Sequence, residues 1–287
     1  MTIAFLNGNF LPLDQAKISP MDRGFLFGDG VYEVIPSYGG KLVALQCHLD
    51  RLHNSLESIS LVSYSDDSEL TNMLMSLCRQ NGAGNLGIYL QITRGITAKR
   101  QHAFTKENDP TCFAYAFPIR PPSDGSIESA SCISAVTRSD RRWRRCQIKS
   151  TSLLGNVLHM MEAVDNNAEE VLLFNHREEL TEAAASNVFV VTQNKRVVTP
   201  ELDNQKLSGV TRYQALEFMK KYTDWKIEVR NISRSEVLRA DEVWLSSSTK
   251  ELSPVIKIDN APVGAGAPGP IWSQAQQLFQ RYRFSIK

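Results

Sequence analysis

The sequence predicts a mixed α/β (α+β) protein built from two domains. Strand-like apolar segments are interspersed along the whole chain with segments whose leucines repeat at helical spacing. A chain of 287 residues is long enough for one large or two smaller cores. Proline and glycine concentrate between two strands near residue 121. We therefore place a small N-terminal domain at 1–120, a linker at 121–126 and a larger C-terminal domain at 127–287.

The first half is predicted to combine strands with two helices. Asn7-Gly8 between two short apolar runs indicates a hairpin, because both central residues of a type I′ turn need positive φ. Leucines four or fewer residues apart predict a helix over 48–59, and Asp66 and Asp67 cap a second helix that ends at 80. The glycine- and aspartate-rich residues 19–30 are expected to form a loop. The other strands are expected at 31–37, 86–93 and 112–117.

The second half is predicted to alternate between strands and helices in the same way. A turn at 193–195 is expected to join two of the strands. Helices are expected at 153–167, 211–221 and 271–283, and strands at 171–174, 188–192, 196–199, 227–230, 242–246 and 255–258.

Composition and charge exclude several classes of protein. A net charge of +1 gives no electrostatic reason to expect nucleic acid or an acidic membrane surface, and the short basic run 141–145 is interpreted as solvated surface. Five cysteines without a C-x-x-C pair argue against a disulfide framework or a metal site and favour a reducing compartment. No segment reads as a leader or a membrane span. We expect a soluble cytoplasmic protein.

One stretch, 146–156, organises the interpretation of the chain. It places Lys149 between an isoleucine and small polar residues, just before an apolar-periodic run that predicts a helix. Lys149 is therefore expected at the end of a strand or in the loop before that helix. A lysine at such a place is usually an ordinary surface cation. A functional role for Lys149 is indicated only by other segments of the chain.

Five segments in register resemble the fold-type IV pyridoxal 5′-phosphate enzymes, among them D-amino acid aminotransferases, branched-chain aminotransferases and aminodeoxychorismate lyases. They cover nearly the whole chain, and each alone would be a weak signal. The resemblance implies a two-domain fold with the cofactor between the domains and at least a homodimer. The segments are Asp22-Arg23-Gly24 with 27–34, Ile148-Lys149, 180–189, 207–212 and 246–255.

The resemblance assigns the central chemistry to two residues. Lys149 resembles the lysine that forms a Schiff base with the cofactor and later shuttles a proton as a neutral amine. Glu182 is similar to the carboxylate that faces the pyridine nitrogen and keeps it protonated, which makes the ring an electron sink. Without the flanking 186–189, Glu182 would read equally well as a surface acid.

The resemblance also implies a phosphate site and an apolar contact to the cofactor ring. Gly209-Val210-Thr211 precedes a helix, whose free N–H groups suit an anion, although such a sequence is most often just a helix cap. Ser248 and Thr249 resemble a second phosphate loop. Arg51 is similar to the family's phosphate-binding arginine, and Leu207 resembles the residue that lies against the ring. Taken alone, Arg51 would be interpreted as a solvated helix charge and Leu207 as an ordinary core residue.

The substrate assignment depends on Arg100-Gln101-His102. In D-amino acid aminotransferases an Arg-x-His in this segment, donated by the other subunit, binds the substrate α-carboxylate, and a guanidinium fork suits that role. Tyr32 and Tyr89 are expected to join Arg100 and His102 in binding the substrate. The remaining histidines, 48, 53, 159 and 176, match no motif and are interpreted as structural.

Two segments depart from the family pattern, and we expect the departures to affect the reaction rate and the loop geometry. Ala183-Ala184-Ala185 stands where D-amino acid aminotransferases are often serine-rich, and 103–106 replaces an expected proline-containing segment.

The expected reaction is ping-pong transamination of D-amino acids, D-alanine plus 2-oxoglutarate giving pyruvate plus D-glutamate. Alternatives are an aminodeoxychorismate lyase, a branched-chain aminotransferase and, remotely, a catalytically silent cofactor-binding protein.

Overall fold

A computed structural model describes residues 1–104, 109–192 and 196–286, which form two compact units. The predicted turn at 193–195 lies outside the described residues. The first unit contains 1–121 and Ile148–Leu153, and the second contains Pro122–Gln147 and Leu154–Ile286. The sequence-based boundary assigned Lys149 to the C-terminal domain, whereas its segment belongs to the first unit. The reason is that the Tyr32 N–H donates to the Lys149 carbonyl at 3.0 Å and the segment continues in register along that strand.

The first unit is an antiparallel sheet with helices. Within the described residues the sheet has six strands in the order β2-β1-β6-β5-β3-β4. Its elements are β1 Ile3–Leu6, β2 Asn9–Pro12, α1 Arg23–Phe27, β3 Gly30–Tyr38, β4 Lys41–Leu42, α2 Leu45–Ser58, α3 Asp67–Gln80, β5 Leu86–Thr93 and β6 Thr111–Pro118.

Local sequence explains most of this unit. Asn7 and Gly8 have φ of 45° and 91°, which confirms the predicted hairpin turn. Asp66 caps α3 by accepting from the Glu69 N–H at 2.9 Å, as its position predicted. The periodic leucines of α2 and α3 pack with the inner face of the sheet in one core. The predicted loop at 19–30 instead contains α1, which Asp22 caps by accepting from the Gly24 N–H at 2.7 Å.

The second unit is a larger mixed sheet with helices. Its described strands follow the order β12-β11-β10-β13-β14-β7-β8-β9, with β15 beside β14. The elements are β7 Ile133–Ser139, α4 Leu154–Val164, β8 Glu170–Phe174, β9 Leu180–Ala183, β10 Asn187–Val191, β11 Val197–Thr199, α5 Val210–Tyr222, β12 Ile227–Val229, α6 Arg234–Leu238, β13 Glu242–Ser247, β14 Glu251–Ile258, β15 Ala261–Pro262 and α7 Pro270–Tyr282.

The buried centre of this unit is apolar on both faces of the sheet. One cluster surrounds Val188 and Leu245, and another packs α5 and α7 against Phe189 and Trp244. Strands β7 and β9 were not predicted, although β7 pairs in parallel with both β14 and β8. The α/β class with two separate sheets is confirmed. Among the helices of the described residues, none combines the length and apolarity that crossing a membrane requires.

Candidate active site

Lys149 lies in a short segment held against β3 and α2 of the first unit. Its N–H donates to Ser55 Oγ at 3.2 Å, and its Nζ lies 4.2 Å from the centroid of the Tyr32 ring. Two residues later the Thr151 N–H donates to the Gly30 carbonyl at 3.0 Å. The backbone around Lys149 is therefore fixed on both sides, while its half-buried side chain extends over an aromatic face.

Arg51 and Ser55 lie one turn apart on α2, so the helix that orients the Lys149 backbone also carries the predicted phosphate arginine. Arg51 donates through Nε and Nη2 to the two oxygens of Glu33, at 2.8 and 2.7 Å. His48 Nδ1 lies 2.7 Å from Glu33 Oε2. Glu33 is fully buried on β3, and the other two side chains are nearly so. His48, which the sequence interpretation set aside as structural, thus belongs to the Arg51 cluster.

Charge decides the protonation of this cluster. Burial alone would raise the pKa of Glu33, but the Arg51 guanidinium outweighs it and lowers that pKa to about 2. Burial lowers the pKa of His48, so its imidazole is favoured neutral beside the positive charges of Arg51 and Lys149. Glu33 was missed by sequence reasoning. Its signal was an acid in an apolar strand, on the same face as the core residues Val31 and Ile35.

Tyr32 and Tyr89 lie on neighbouring strands of the same sheet. Their rings stack at 5.6 Å between centroids, and the Tyr89 hydroxyl donates to Gln91 Oε1 at 2.6 Å. Burial raises the pKa of Tyr89, so its hydroxyl stays protonated and remains a donor. The two predicted tyrosines are therefore neighbours, and Tyr32 is the one in contact with Lys149.

Arg100 and His102 lie in an exposed segment after β5. The Arg100 guanidinium carbon is 5.1 Å from the centroid of the Phe27 ring, and the His102 ring is 5.4 Å from the same ring. Among the described residues no hydrogen bond, ion pair or ring contact links either side chain to Tyr32 or Lys149. The structure thus brings Arg100 and His102 together around Phe27 without joining them to the other predicted site residues.

In the second unit Glu182 is a buried carboxylate at the centre of a hydrogen-bond network. Its Oε1 accepts from Arg142 Nη1, and its Oε2 accepts from Asn187 Nδ2 and from the Leu207 N–H, both at 3.0 Å. Burial raises the pKa of Glu182, while Arg142 and these N–H donors act in the opposite direction. Strand β9 places Glu182 there, and a surface acid is excluded.

Arg142 corrects the interpretation of 141–145 as solvated surface. Its side chain is 4% exposed and bonds both Asp140, at 2.8 Å, and Glu182. Its Nη2 also donates to the Gln205 carbonyl at 3.1 Å. Asp140 and Glu182 raise the pKa of Arg142, so it remains a cation. The available signal was the Asp-x-Arg spacing, which lets the acid hold the guanidinium within one short turn.

Leu207 and Gly209 are attached to this network through the backbone. The Asn187 Nδ2 that donates to Glu182 also donates to the Leu207 carbonyl at 2.9 Å. A Cβ on Gly209 would lie 1.9 Å from Asn187 Oδ1, so this position requires glycine. Glu182, Leu207 and the start of α5 therefore form one connected group.

Helix α5 begins at Val210, directly after Gly209. Its N-cap is Gly209, which has no side chain to accept from the N–H groups of the first turn, and Val210 and Thr211 in that turn are buried. Arg212 in the same turn is buried and donates to Thr199 Oγ1 and to the Pro200 carbonyl. Burial lowers the pKa of Arg212 to about 10, against the raising effect of Glu182. This helix end is suited to an anion.

Ser248 and Thr249 lie half-buried in the turn that joins β13 to β14. The hydroxyl of Ser246, two residues before the turn, is buried without a hydrogen-bond partner among the described residues. Ser246 pairs across the sheet with Asn187, the residue that bonds Glu182. Hydroxyl donors are therefore available on the strand and turn that neighbour the Glu182 network.

Each unit, taken by itself, contains donor groups of a kind that pyridoxal 5′-phosphate binds. The first supplies an amine over an aromatic ring and an arginine held by a buried acid. The second supplies a buried carboxylate, a helix that begins after a glycine N-cap, and hydroxyls. These are the groups that a carbonyl carbon, a pyridine nitrogen and a phosphate require.

The family model of the class IV amino-transferases matches residues 30–258. The chain is 39% identical over 284 residues to the D-alanine aminotransferase of Staphylococcus haemolyticus, covering 98% of each chain. It is 38% identical over 275 residues to the D-alanine aminotransferase of Bacillus licheniformis, covering 96% of this chain and 94% of that one.

Solved structures with the same fold include branched-chain amino acid aminotransferases. That of Escherichia coli has a TM-score of 0.89 at 23% identity, with 99% of this chain and 95% of that one covered. That of Thermobaculum terrenum, solved in its PLP form, has a TM-score of 0.86 at 22% identity, with 99% and 94% covered. At these identities the likeness concerns the fold alone.

Proposed function

This chain belongs to the class IV amino-transferase family, and on that premise we propose that it transfers the amino group of a D-amino acid to a 2-oxo acid. The expected pair is D-alanine plus 2-oxoglutarate, giving pyruvate plus D-glutamate by ping-pong half-reactions. The observation that carries the proposal is the similarity, over nearly the full length, to relatives named D-alanine aminotransferase. The Arg-x-His pattern at 100–102 supports the same substrate class.

Lys149 is assigned the covalent attachment and the proton transfer. Pyridoxal 5′-phosphate, when bound, supplies a ring that accepts the electron pair released at the substrate Cα. The Lys149 amine takes the Cα proton of the amino donor in the first half-reaction and supplies a proton to Cα of the new amino acid in the second. It must be neutral to accept the proton. The Tyr32 ring beneath its Nζ and the fixed backbone on both sides support this role, because they restrict the amine to a small volume.

Glu182 is assigned to the pyridine nitrogen. A carboxylate at that atom keeps the nitrogen protonated, and a buried carboxylate does so most strongly. Arg142 supports this role by holding Glu182 Oε1 and by favouring its ionised form. Leu207 is assigned to the ring face, which its backbone bond to Glu182 supports.

The phosphate is assigned to three sets of donors. The helix end at Gly209, Val210 and Thr211 supplies N–H groups and a hydroxyl. Ser248 and Thr249 supply further hydroxyls. Arg51 supplies a cation whose orientation Glu33 maintains.

The substrate carboxylate is assigned to Arg100 and His102, with Tyr32 and Tyr89 beside them. Both residues of the pair are exposed, as binding groups donated to a second subunit would be. We accordingly propose a homodimer. The exposed apolar side chains along α4 support an association surface, because such stripes are rarely left in water. The cytoplasm is the proposed compartment, supported by five cysteines that are all free thiols.

Steady-state assays with three substrates test the proposal against its alternatives. Holoenzyme is given D-alanine or L-leucine together with 2-oxoglutarate, or aminodeoxychorismate without an acceptor, and pyruvate or the 2-oxo acid is measured. The proposal expects pyruvate from D-alanine in proportion to D-glutamate. Turnover of L-leucine alone would favour a branched-chain aminotransferase, whose fold the structural relatives share. Pyruvate from aminodeoxychorismate without an acceptor would favour the lyase.

A further inference from the structure

Asp22-Arg23-Gly24 carried the family resemblance, yet none of the roles above uses it. Asp22 accepts from the hydroxyls of Thr93 and Thr111, each at 2.7 Å, and so joins the ends of β5 and β6. Arg23 is buried, and it donates to residues far along the chain. The motif therefore ties the start of α1 to the segment that follows β5.

Arg23 holds the backbone of the segment that carries Arg100 and His102. Its Nη1 donates to the Gln101 carbonyl at 2.7 Å, and its Nη2 donates to the His102 carbonyl at 2.9 Å. Its Nε donates to Asp29 Oδ2 at 2.8 Å. All three nitrogens of the guanidinium are thus used, and two of them fix the consecutive peptide groups on either side of His102.

A second arginine keeps Arg23 in place. Arg94 donates to both oxygens of Asp29, at 2.8 and 3.0 Å, and to the carbonyls of Ile59 and Ser60. Burial alone would raise the pKa of Asp29, but Arg94 and Arg23 together lower it, so the bridging carboxylate stays ionised. The Arg94 guanidinium carbon also lies 3.6 Å from the centroid of Phe104.

We propose that Arg23 is a positioning residue for the substrate carboxylate, acting through the backbone it holds at Gln101 and His102. The inference rests on the proposed function, since it concerns how Arg100 and His102 bind. Arg23 touches no reacting atom. It fixes the exposed arginine and histidine in advance, so that binding a carboxylate does not require ordering of that segment.

Single-turnover reaction of the holoenzyme with D-alanine and with D-alaninamide tests this. The amide lacks the carboxylate charge but presents the same Cα–H and amine. In Arg23→Gln we expect the rate constant at low substrate to fall about tenfold or more for D-alanine, because two charge-assisted hydrogen bonds to the segment are lost. For D-alaninamide it should stay within about twofold. Equal losses with both substrates would overturn the proposal.

A double-mutant cycle with Arg100→Gln separates positioning from a general loss of structure. If Arg23 acts through Arg100, the double variant should react with D-alanine at the rate of Arg100→Gln within about twofold. Multiplicative losses would contradict the inference. Arg23→Lys keeps the charge beside Asp29 but cannot bind both carbonyls, so it should give an intermediate loss, and it replaces Arg23→Gln if that variant does not fold.

The outcomes distinguish this inference from the proposed function. If wild-type holoenzyme does not react with D-alanine, or Arg100→Gln does not change its preference over D-alaninamide, the assigned carboxylate site fails and the inference falls with it. If Arg100→Gln removes the preference and Arg23→Gln leaves it unchanged, the inference alone is overturned and the carboxylate site stands.

Discussion

Two buried carboxylates, one in each unit, are bound to an arginine in opposite ways. In the first unit Arg51 donates to both oxygens of Glu33, whose pKa falls to about 2. In the second unit Arg142 is shared between Asp140 and Glu182, and the pKa of Glu182 is raised by burial. Burial raises the pKa of both carboxylates, but Arg51 and His48 lower that of Glu33, whereas the neighbouring acid Asp140 raises that of Glu182.

The two clusters also differ in net charge. Arg51, Glu33 and the nearby Lys149 leave the first cluster neutral or positive, since His48 is favoured uncharged. Two acids around Arg142 leave the second cluster negative. In the first cluster the carboxylate orients the arginine, whereas in the second cluster the arginine holds the carboxylate. The proposed function assigns a phosphate and an amine to the first cluster and a protonated pyridine nitrogen to the second.

Removing Lys149 is expected to have the largest effect. Lys149→Ala loses both the covalent attachment and the proton transfer, and positioned acid–base groups alone contribute about 10²–10⁴-fold. The rate with D-alanine and 2-oxoglutarate should therefore fall by more than about 10³-fold. The exposed Lys41 on β4 of the same unit is the matched control, and Lys41→Ala should leave the rate unchanged. Activity of Lys149→Ala close to wild type would remove this lysine from the mechanism.

Neutralising Glu182 tests whether the second cluster serves chemistry. Glu182→Gln keeps the shape but removes the charge, and kcat should fall by about 10²-fold or more. Arg142 retains Asp140, so the free energy of unfolding should change by only about 1–2 kcal/mol. Asp140→Asn removes the other acid from the same arginine and should lower kcat much less. Similar kcat values for the two variants would erase the distinction between these acids.

Neutralising Glu33 tests whether the first cluster serves placement. Glu33→Gln leaves Arg51 buried without its carboxylate, so the free energy of unfolding should fall by about 3–5 kcal/mol. The Kd of pyridoxal 5′-phosphate should rise, while kcat at saturating cofactor should change much less than in Glu182→Gln. Chemical unfolding and a cofactor titration measure both quantities. A loss of kcat as large as that of Glu182→Gln would contradict the contrast between the clusters.

The pH dependence of stability should have opposite signs for the two glutamates. Glu33 has a depressed pKa, so its contribution is present above about pH 4.5 and is lost as the pH falls towards 2. The Tm difference between wild type and Glu33→Gln should thus shrink on acidification. Glu182 has a raised pKa, so its protonation favours the folded state at low pH and that contribution is lost as the pH rises above 4.5. Parallel pH trends in the two variants would contradict this assignment.

Sequence patterns predicted the elements that are determined by residues close together in the chain. The Asn7-Gly8 turn, the Asp66 cap and strand 86–93 follow from φ preferences, capping and alternation. Strand β7 was missed because its residues are partly polar. Thr137 is nonetheless buried there, since Asp259 accepts from its N–H and hydroxyl at 2.8 and 2.6 Å. That partner is 122 residues away, so no local window contains it.

The same distinction between short-range and long-range determinants applies to the residues of the candidate site. Residues that match a motif, such as Lys149, Glu182 and Gly209, could be named from the sequence. Their partners could not, because Glu33, His48 and Arg142 are recognised only by what they bond across the fold. The placement of Lys149 in the first unit depends on backbone pairing with β3, which the linker position alone did not indicate.

A visible absorbance spectrum of the purified protein, taken before and after separate additions of D-alanine and L-alanine without an acceptor, tests the central claim most directly. We predict a yellow protein that D-alanine alone bleaches, with one pyruvate released per cofactor. A yellow protein that neither alanine bleaches would contradict the D-amino acid assignment and turn attention to L-leucine and aminodeoxychorismate. A colourless protein that pyridoxal 5′-phosphate cannot reconstitute would contradict the assignment of Lys149 itself.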